Sequence, residues 1–152
     1  MRPSRREFLI GSAGIGLASA QTLVSASATP AMLEEAIRNV IGEANLHAGK
    51  ITLEVPPVVE NGNTVPVTII VDSPMSKADH VKSIHVFNEK NPQPHVISIM
   101  LGPRAGKARI ATRIKLADTQ RIVGIAEMSD GSFWTGEANV IVTIAACVED
   151  VK

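Results

Sequence analysis

The chain has 152 residues, with 15 basic and 15 acidic side chains, four histidines and one cysteine. It has no basic run, and its only Phe and Trp residues are Phe8, Phe87, Phe133 and Trp134. That excludes the basic footprint and stacking platform of a nucleic-acid binder, and a single cysteine excludes an intramolecular disulfide.

Taken from the start, Ser4-Arg5-Arg6-Glu7-Phe8-Leu9-Ile10 is a paired arginine followed by apolar residues, and a mildly apolar, glycine-containing stretch runs to Ala20. It is shorter than the roughly 20 apolar residues a membrane span needs. It leads to Ala26-Ser27-Ala28, a small-x-small cleavage pattern. Together these read as a twin-arginine export signal over 1–28, and the expected location is periplasmic, with no membrane association after cleavage. The mature chain, Thr29 to Lys152, has 124 residues; without Arg2, Arg5, Arg6 and Glu7 it keeps 12 basic and 14 acidic side chains. That length suits one domain with one core.

Pro30 to Asn45 has helical spacing, with Met32, Leu33, Ala36, Ile37, Val40 and Ile41 on one face. Thr29 caps the start, Pro30 suits the first turn, and Gly42 sits near the end. Beyond Gly49 the period drops to two. Ile51, Leu53 and Val55 alternate until Pro56-Pro57, and Asn61-Gly62-Asn63 is a turn signal. Strands are expected at Val65–Val71, Val81–Phe87, Val96–Leu101, Ala108–Leu116, Ile122–Met128 and Ala138–Ala145, with a hairpin-type turn at Ser129-Asp130-Gly131-Ser132. Seven short strands with no helices between them predict an all-β, immunoglobulin-like antiparallel β-sandwich with a short N-terminal helix. The apolar helix face and part of one sheet are expected to be covered by a partner.

Few residues carry chemistry. His47, His80, His85 and His95 include no pair at close ligand spacing, so surface or half-buried histidines are expected and no metal site. Asp72, Asp79, Glu127 and Asp130 lie near strand ends, where carboxylates form turns or stay solvated. No nucleophile elbow and no phosphate loop is present, so no catalytic residue and no cofactor is assigned. Cys147 stands apart in Thr143-Ile144-Ala145-Ala146-Cys147-Val148-Glu149-Asp150-Val151-Lys152. On a terminal tail the thiol is exposed and mobile; the other reading is a buried cysteine finishing the last strand. Glu149 and Asp150 oppose thiolate formation weakly, so the group is accessible rather than activated. Without Cys-x-x-Cys, a thiol redox enzyme is disfavoured.

The order of several segments carries a resemblance. These are Val59-Glu60-Asn61-Gly62-Asn63-Thr64-Val65-Pro66-Val67, Val71-Asp72-Ser73-Pro74-Met75, Ile84-His85-Val86-Phe87, Thr112-Arg113-Ile114-Lys115-Leu116-Ala117 and Ala126-Glu127-Met128-Ser129-Asp130-Gly131-Ser132. With the export signal and the N-terminal helix, they make the chain resemble the SoxY family, the sulfur-compound carrier subunits of bacterial thiosulfate oxidation. The resemblance covers essentially the whole mature chain. It implies a sandwich over 29–144 that forms a heterodimer with a SoxZ-like sandwich, and a carrier arm over 145–152. It also implies covalent sulfur-substrate attachment at Cys147, without catalysis by the chain itself. The partners implied are SoxAX, which joins thiosulfate to the thiol oxidatively, SoxB, which removes sulfate, and SoxCD where present.

The arm departs from the family's Gly-Gly-Cys-Gly-Gly. Here Ala145-Ala146 precede the cysteine, and Val148 and four further residues follow it. Glycine permits close approach to an enzyme wall, whereas Val148 is β-branched and stiffer. Three readings stay open: a working carrier whose partners have altered tunnels, a divergent carrier of another sulfur species, and an interaction module that pairs with a SoxZ-like protein without carrying sulfur.

Overall fold

The computed structural model describes residues 29–146. Helix α1 spans Pro30–Ile41. Thr29 caps it, its Oγ1 accepting the Met32 N–H at 3.4 Å, and Pro30 occupies the first turn, where no donor is needed. The helix ends four residues before the expected Asn45. Gly42 adopts φ +62° and turns its N–H back to the Arg38 carbonyl at 2.8 Å, so the chain leaves the helical path there. No helix among the described residues is long and apolar enough to cross a membrane.

Among the described residues nine strands follow: β1 (Leu46–Ala48), β2 (Ile51–Glu54), β3 (Val58–Val59), β4 (Val65–Val71), β5 (Val81–Asn88), β6 (His95–Met100), β7 (Arg109–Ile114), β8 (Gln120–Met128) and β9 (Phe133–Val142). The larger sheet runs β1-β9-β8-β5-β6, with β3 also on β9, and the smaller runs β2-β4-β7. This is the expected sandwich, with two short additions. β1 and β3 both pair in parallel with β9, Leu46 opposite Phe133 and Val58 opposite Ile141. At three and two residues they are too short to show an alternation.

The last strand also differs from expectation: it begins at Phe133, not Ala138, and ends at Val142, not Ala145. The Asp130-Gly131 turn is tight, with Gly131 at φ +84°, and Glu127 already faces Phe133 across the hairpin. Gly136 hid this part of the strand in the sequence, and its smallness is required. A Cβ there would lie 2.3 Å from the Ile51 carbonyl oxygen, because β2 crosses the sheet at that point.

The core lies between the sheets. Val65, Val67, Ile69 and Val71 of β4 face Ile84 and Val86 of β5, Ile122 and Ala126 of β8, and Val140 of β9. Each such side chain contributes about 1.5–3 kcal/mol by leaving water. A second, smaller cluster lies on the outer face of the larger sheet. There Leu33 of α1, only 2% exposed, packs on Phe87, Val123 and Ile125, flanked by Ala36, Ile37, Val40, Ile41 and Phe133. So the apolar helix face rests in part on the chain's own sheet: Leu33 is buried there, Ala36, Ile37, Val40 and Ile41 are half-buried, and Met32 stays exposed. That explains why β5 and β8 are buried on both faces.

Candidate functional site

The segment that leads to Cys147 begins where β9 leaves the sheet, and it is held mostly by backbone. Val142 N–H donates to Thr119 Oγ1 at 2.9 Å. Thr143 N–H then donates to the Val59 carbonyl at 3.0 Å and Ile144 N–H to the Glu60 carbonyl at 3.1 Å. Gly62 joins two segments: its N–H donates to the Ile144 carbonyl and its own carbonyl accepts from Leu116 N–H, both at 2.8 Å. The Leu116 carbonyl accepts from Ala146 N–H at 3.0 Å. Ala146 is 8% exposed and Leu116 fully buried.

Gly62 is therefore more than the turn glycine its sequence context suggested. A Cβ on it would meet the Leu116 carbonyl oxygen at 2.3 Å and the Ala146 nitrogen at 2.8 Å. Only a residue without a side chain lets three backbone segments approach so closely. Cys147, the sequence-predicted attachment residue, lies outside the described residues, as do 1–28 and 148–152. Beside the root, Val58 and Ile141 form an exposed pair, 53% and 52% accessible, and Ile144 is 65% accessible.

Sequence spacing kept the histidines and carboxylates apart; the larger sheet brings some of them together. His85 is buried at 8% exposure, not half-exposed as expected. Its Nε2 lies 3.0 Å from Ser83 Oγ, and its Nδ1 lies 2.9 Å from Ser98 Oγ. Ser98 Oγ is also 2.9 Å from His95 Nε2, and the His95 ring stacks on Phe87. Ser83 Oγ donates to Glu127 Oε2 at 3.2 Å, and Glu127 is paired with Lys82.

The polarity of this chain follows from its terminal carboxylate. An ionised carboxylate only accepts, so the Ser83 hydroxyl gives its proton to Glu127 and must accept from His85 Nε2–H. A neutral His85 then has a bare Nδ1 that accepts from the Ser98 hydroxyl, and Ser98 Oγ accepts from His95 Nε2–H. Thus Glu127, expected as a turn or solvated group, is the anchor of a five-residue chain across β6, β5 and β8. No signal in the sequence could have found it, because the pairing depends on sheet register. Asp130, by contrast, is the expected turn residue, accepting the Ser132 N–H at 2.9 Å. Among the described residues, no three His, Cys, Asp or Glu side chains gather to hold a metal ion.

Burial holds the His85 pKa below 6.5; the nearby His95 adds to this and Glu127 opposes it. The unfolded chain therefore takes up a proton near pH 6.5 that the folded chain refuses until a lower pH. Stability should be constant above this range and fall as pH drops through it. Denaturant midpoints between pH 7.5 and 5 test this: His85→Gln should flatten the decline. An equally steep decline in the variant would place its origin elsewhere.

The fold and the arm root define a class: an immunoglobulin-like sandwich that presents its C-terminal segment from a clamped final strand. Within it, the chain belongs to the SoxY family. The family model, described as sulfur oxidation protein SoxY, matches residues 37–147. The structure is similar to that of the sulfur carrier protein SoxY from Chlorobium limicola f thiosulfatophilum, at 28% identity and TM-score 0.64, covering 75% of this chain and 98% of that one. It also resembles a superoxide reductase (neelaredoxin) from Ignicoccus hospitalis, at 15% identity and TM-score 0.55, over 62% of this chain and 80% of that one. A putative superoxide reductase from Thermotoga maritima matches at 18% identity and TM-score 0.54, over 65% and 93%. At these identities the last two share the fold alone. No curated protein matches the sequence.

Proposed function

We propose that the chain is a periplasmic carrier, exported by the twin-arginine route, that holds thiosulfate-derived sulfur covalently on Cys147. The observation that carries this reading is the family match, which runs through the whole sandwich and reaches Cys147. The similarity to the sulfur carrier protein SoxY from Chlorobium limicola f thiosulfatophilum supports it.

The chemistry needs only a thiolate from this chain. In the loading step, the Cys147 thiol loses its proton and an S–S bond forms between its sulfur and the outer sulfur of thiosulfate. The two electrons released pass to a haem partner of the SoxAX type. Water, activated on a SoxB-type metal hydrolase, then attacks the sulfonate sulfur. The bond between that sulfur and the outer one breaks, sulfate leaves, and a persulfide stays on Cys147. A SoxCD-type dehydrogenase oxidises that sulfur where it is present. The carrier itself catalyses nothing and binds no cofactor. A SoxZ-like sandwich pairs with it, and the exposed Val58, Ile141 and Ile144 beside the arm root are available apolar contacts for such a partner.

Intact mass spectrometry of the protein from cells grown on thiosulfate, without reductant, tests the reading. A reductant-sensitive sulfur adduct is expected on the wild type and not on Cys147→Ser. An unmodified thiol across several sulfur substrates would overturn it. The remaining function would then be pairing with a SoxZ-like protein.

A further inference from the structure

We infer that Gly62 is a positioning residue for the carrier thiol: with the Leu116 carbonyl it clamps the backbone at Ile144 and at Ala146, the residue before Cys147 in the sequence. The inference rests on the carrier reading for its purpose, but not for its geometry.

Three backbone hydrogen bonds make the clamp: Gly62 N–H to the Ile144 carbonyl, Leu116 N–H to the Gly62 carbonyl, and Ala146 N–H to the Leu116 carbonyl. They link the segment after β3, the segment after β7 and the segment after β9. The strand that carries the arm ends at Val142 and the Thr143 and Ile144 amides bond to the Val59 and Glu60 carbonyls, so without the clamp the chain would swing from Ile144. With it, the four residues Thr143 to Ala146 are laid back onto the sandwich, each N–H except that of Ala145 bonded to a named carbonyl. Ala146 is the last of them and its methyl group is buried. Cys147 follows directly in the sequence, one residue beyond the last anchored amide.

Two consequences follow. In the clamped state the thiol cannot travel far from the Gly62–Leu116 end of the sandwich, so an enzyme must bring its reacting centre up to that surface. Opening the clamp, with the Thr143 and Ile144 amides still on the Val59 and Glu60 carbonyls, would free Ala145 and Ala146, adding at most about 7 Å of reach at 3.3–3.6 Å per residue. Gly62 thus sets which of two reaches the carrier uses. Its replacement should release the arm while the sheets persist, because the two nearest atoms to a Cβ, Leu116 O and Ala146 N, belong to the clamp, and the third, Val142 Cγ1 at 3.0 Å, is a side-chain end at the close of β9.

The test uses the purified chain with Gly62→Ala, Ala146→Pro and, as a control, Gly102→Ala, where a Cβ meets nothing within 4 Å. Ala146→Pro removes the N–H donor at the clamp and leaves Gly62 and its close contacts intact, its ring restricting only the backbone of Ala145 and residue 146, so it answers the question even where Gly62→Ala fails to fold. Two readouts are taken: amide exchange at Ala146 and Gly62, and the alkylation rate of Cys147 by a bulky maleimide relative to iodoacetamide. In the wild type the Ala146 amide should be protected by roughly tenfold or more. The bulky reagent should be disfavoured relative to a free peptide of residues 143–152. Gly62→Ala should remove the Ala146 protection, and both Gly62→Ala and Ala146→Pro should bring alkylation to the peptide value, with β5 and β8 amides still protected. Gly102→Ala should match the wild type. Unprotected Ala146 and peptide-like alkylation in the wild type would overturn the inference, as would wild-type values in both variants. A working clamp on a cysteine that never gains sulfur would sink the carrier reading alone. A sulfur adduct on a chain with an unprotected root would sink the clamp alone.

Discussion

Phe87→Ala is expected to cost about 3–5 kcal/mol, the usual range for emptying a fully buried aromatic site. Phe87 has no solvent exposure and stands on the outer face of β5, where Leu33, Val123 and Ile125 close around it and His95 stacks on its ring. It is the largest fully buried side chain of the cluster under α1. A helix of 12 residues is marginal alone, so α1 depends on this seat. Chemical denaturation should show a large fall in midpoint, and hydrogen exchange should show α1 amides losing protection before those of β4 and β8. Phe87→Leu, which keeps most of the volume, should cost much less. Protected α1 amides in the alanine variant would mean that the helix is held by something other than this cluster.

Gly136→Ala should destabilise by about 3 kcal/mol, the upper part of the range for overpacking. One methyl group is added, but it meets the Ile51 backbone carbonyl at 2.3 Å, and backbone cannot rotate away as a side chain can. Gly124, directly opposite in the β8–β9 register, has the side chains of Ile51 and Leu53 within 3.0 Å of its would-be Cβ. The two glycines together form the trough in which β2 lies. Gly124→Ala should therefore be milder, because side-chain ends can yield. Equal effects on the denaturation midpoint would contradict this account.

How much of this was legible in the sequence depends on the range of the signal. The six longer strands were readable because one face of each meets the core, and β4 shows this most plainly with Val65, Val67, Ile69 and Val71. The helix cap was readable because Thr29 and Pro30 act locally. The early half of β9 was not, since Gly136 answers to β2, a contact across 85 residues. The same holds for the site. Cys147 is visible from its position as the lone cysteine, but the clamp is made of main-chain atoms and Gly62 looked like a turn residue. The chain from His95 to Glu127 appears only once β5 has been placed between β6 and β8.

The placement of β9 has a mechanical consequence. It is bonded along one side to β8 and along the other to β1 and β3, and the arm is its direct continuation. Sheet hydrogen bonds lie across the strands. A pull on the C-terminus along β9 therefore loads the bonds to both neighbours in shear, many at once, instead of peeling them one by one. Tension applied by an enzyme that grips the arm would be spent first on the bonds that tie Ala146 and Ile144 to Leu116, Gly62 and Glu60, and the sandwich behind them would act as a stiff anchor.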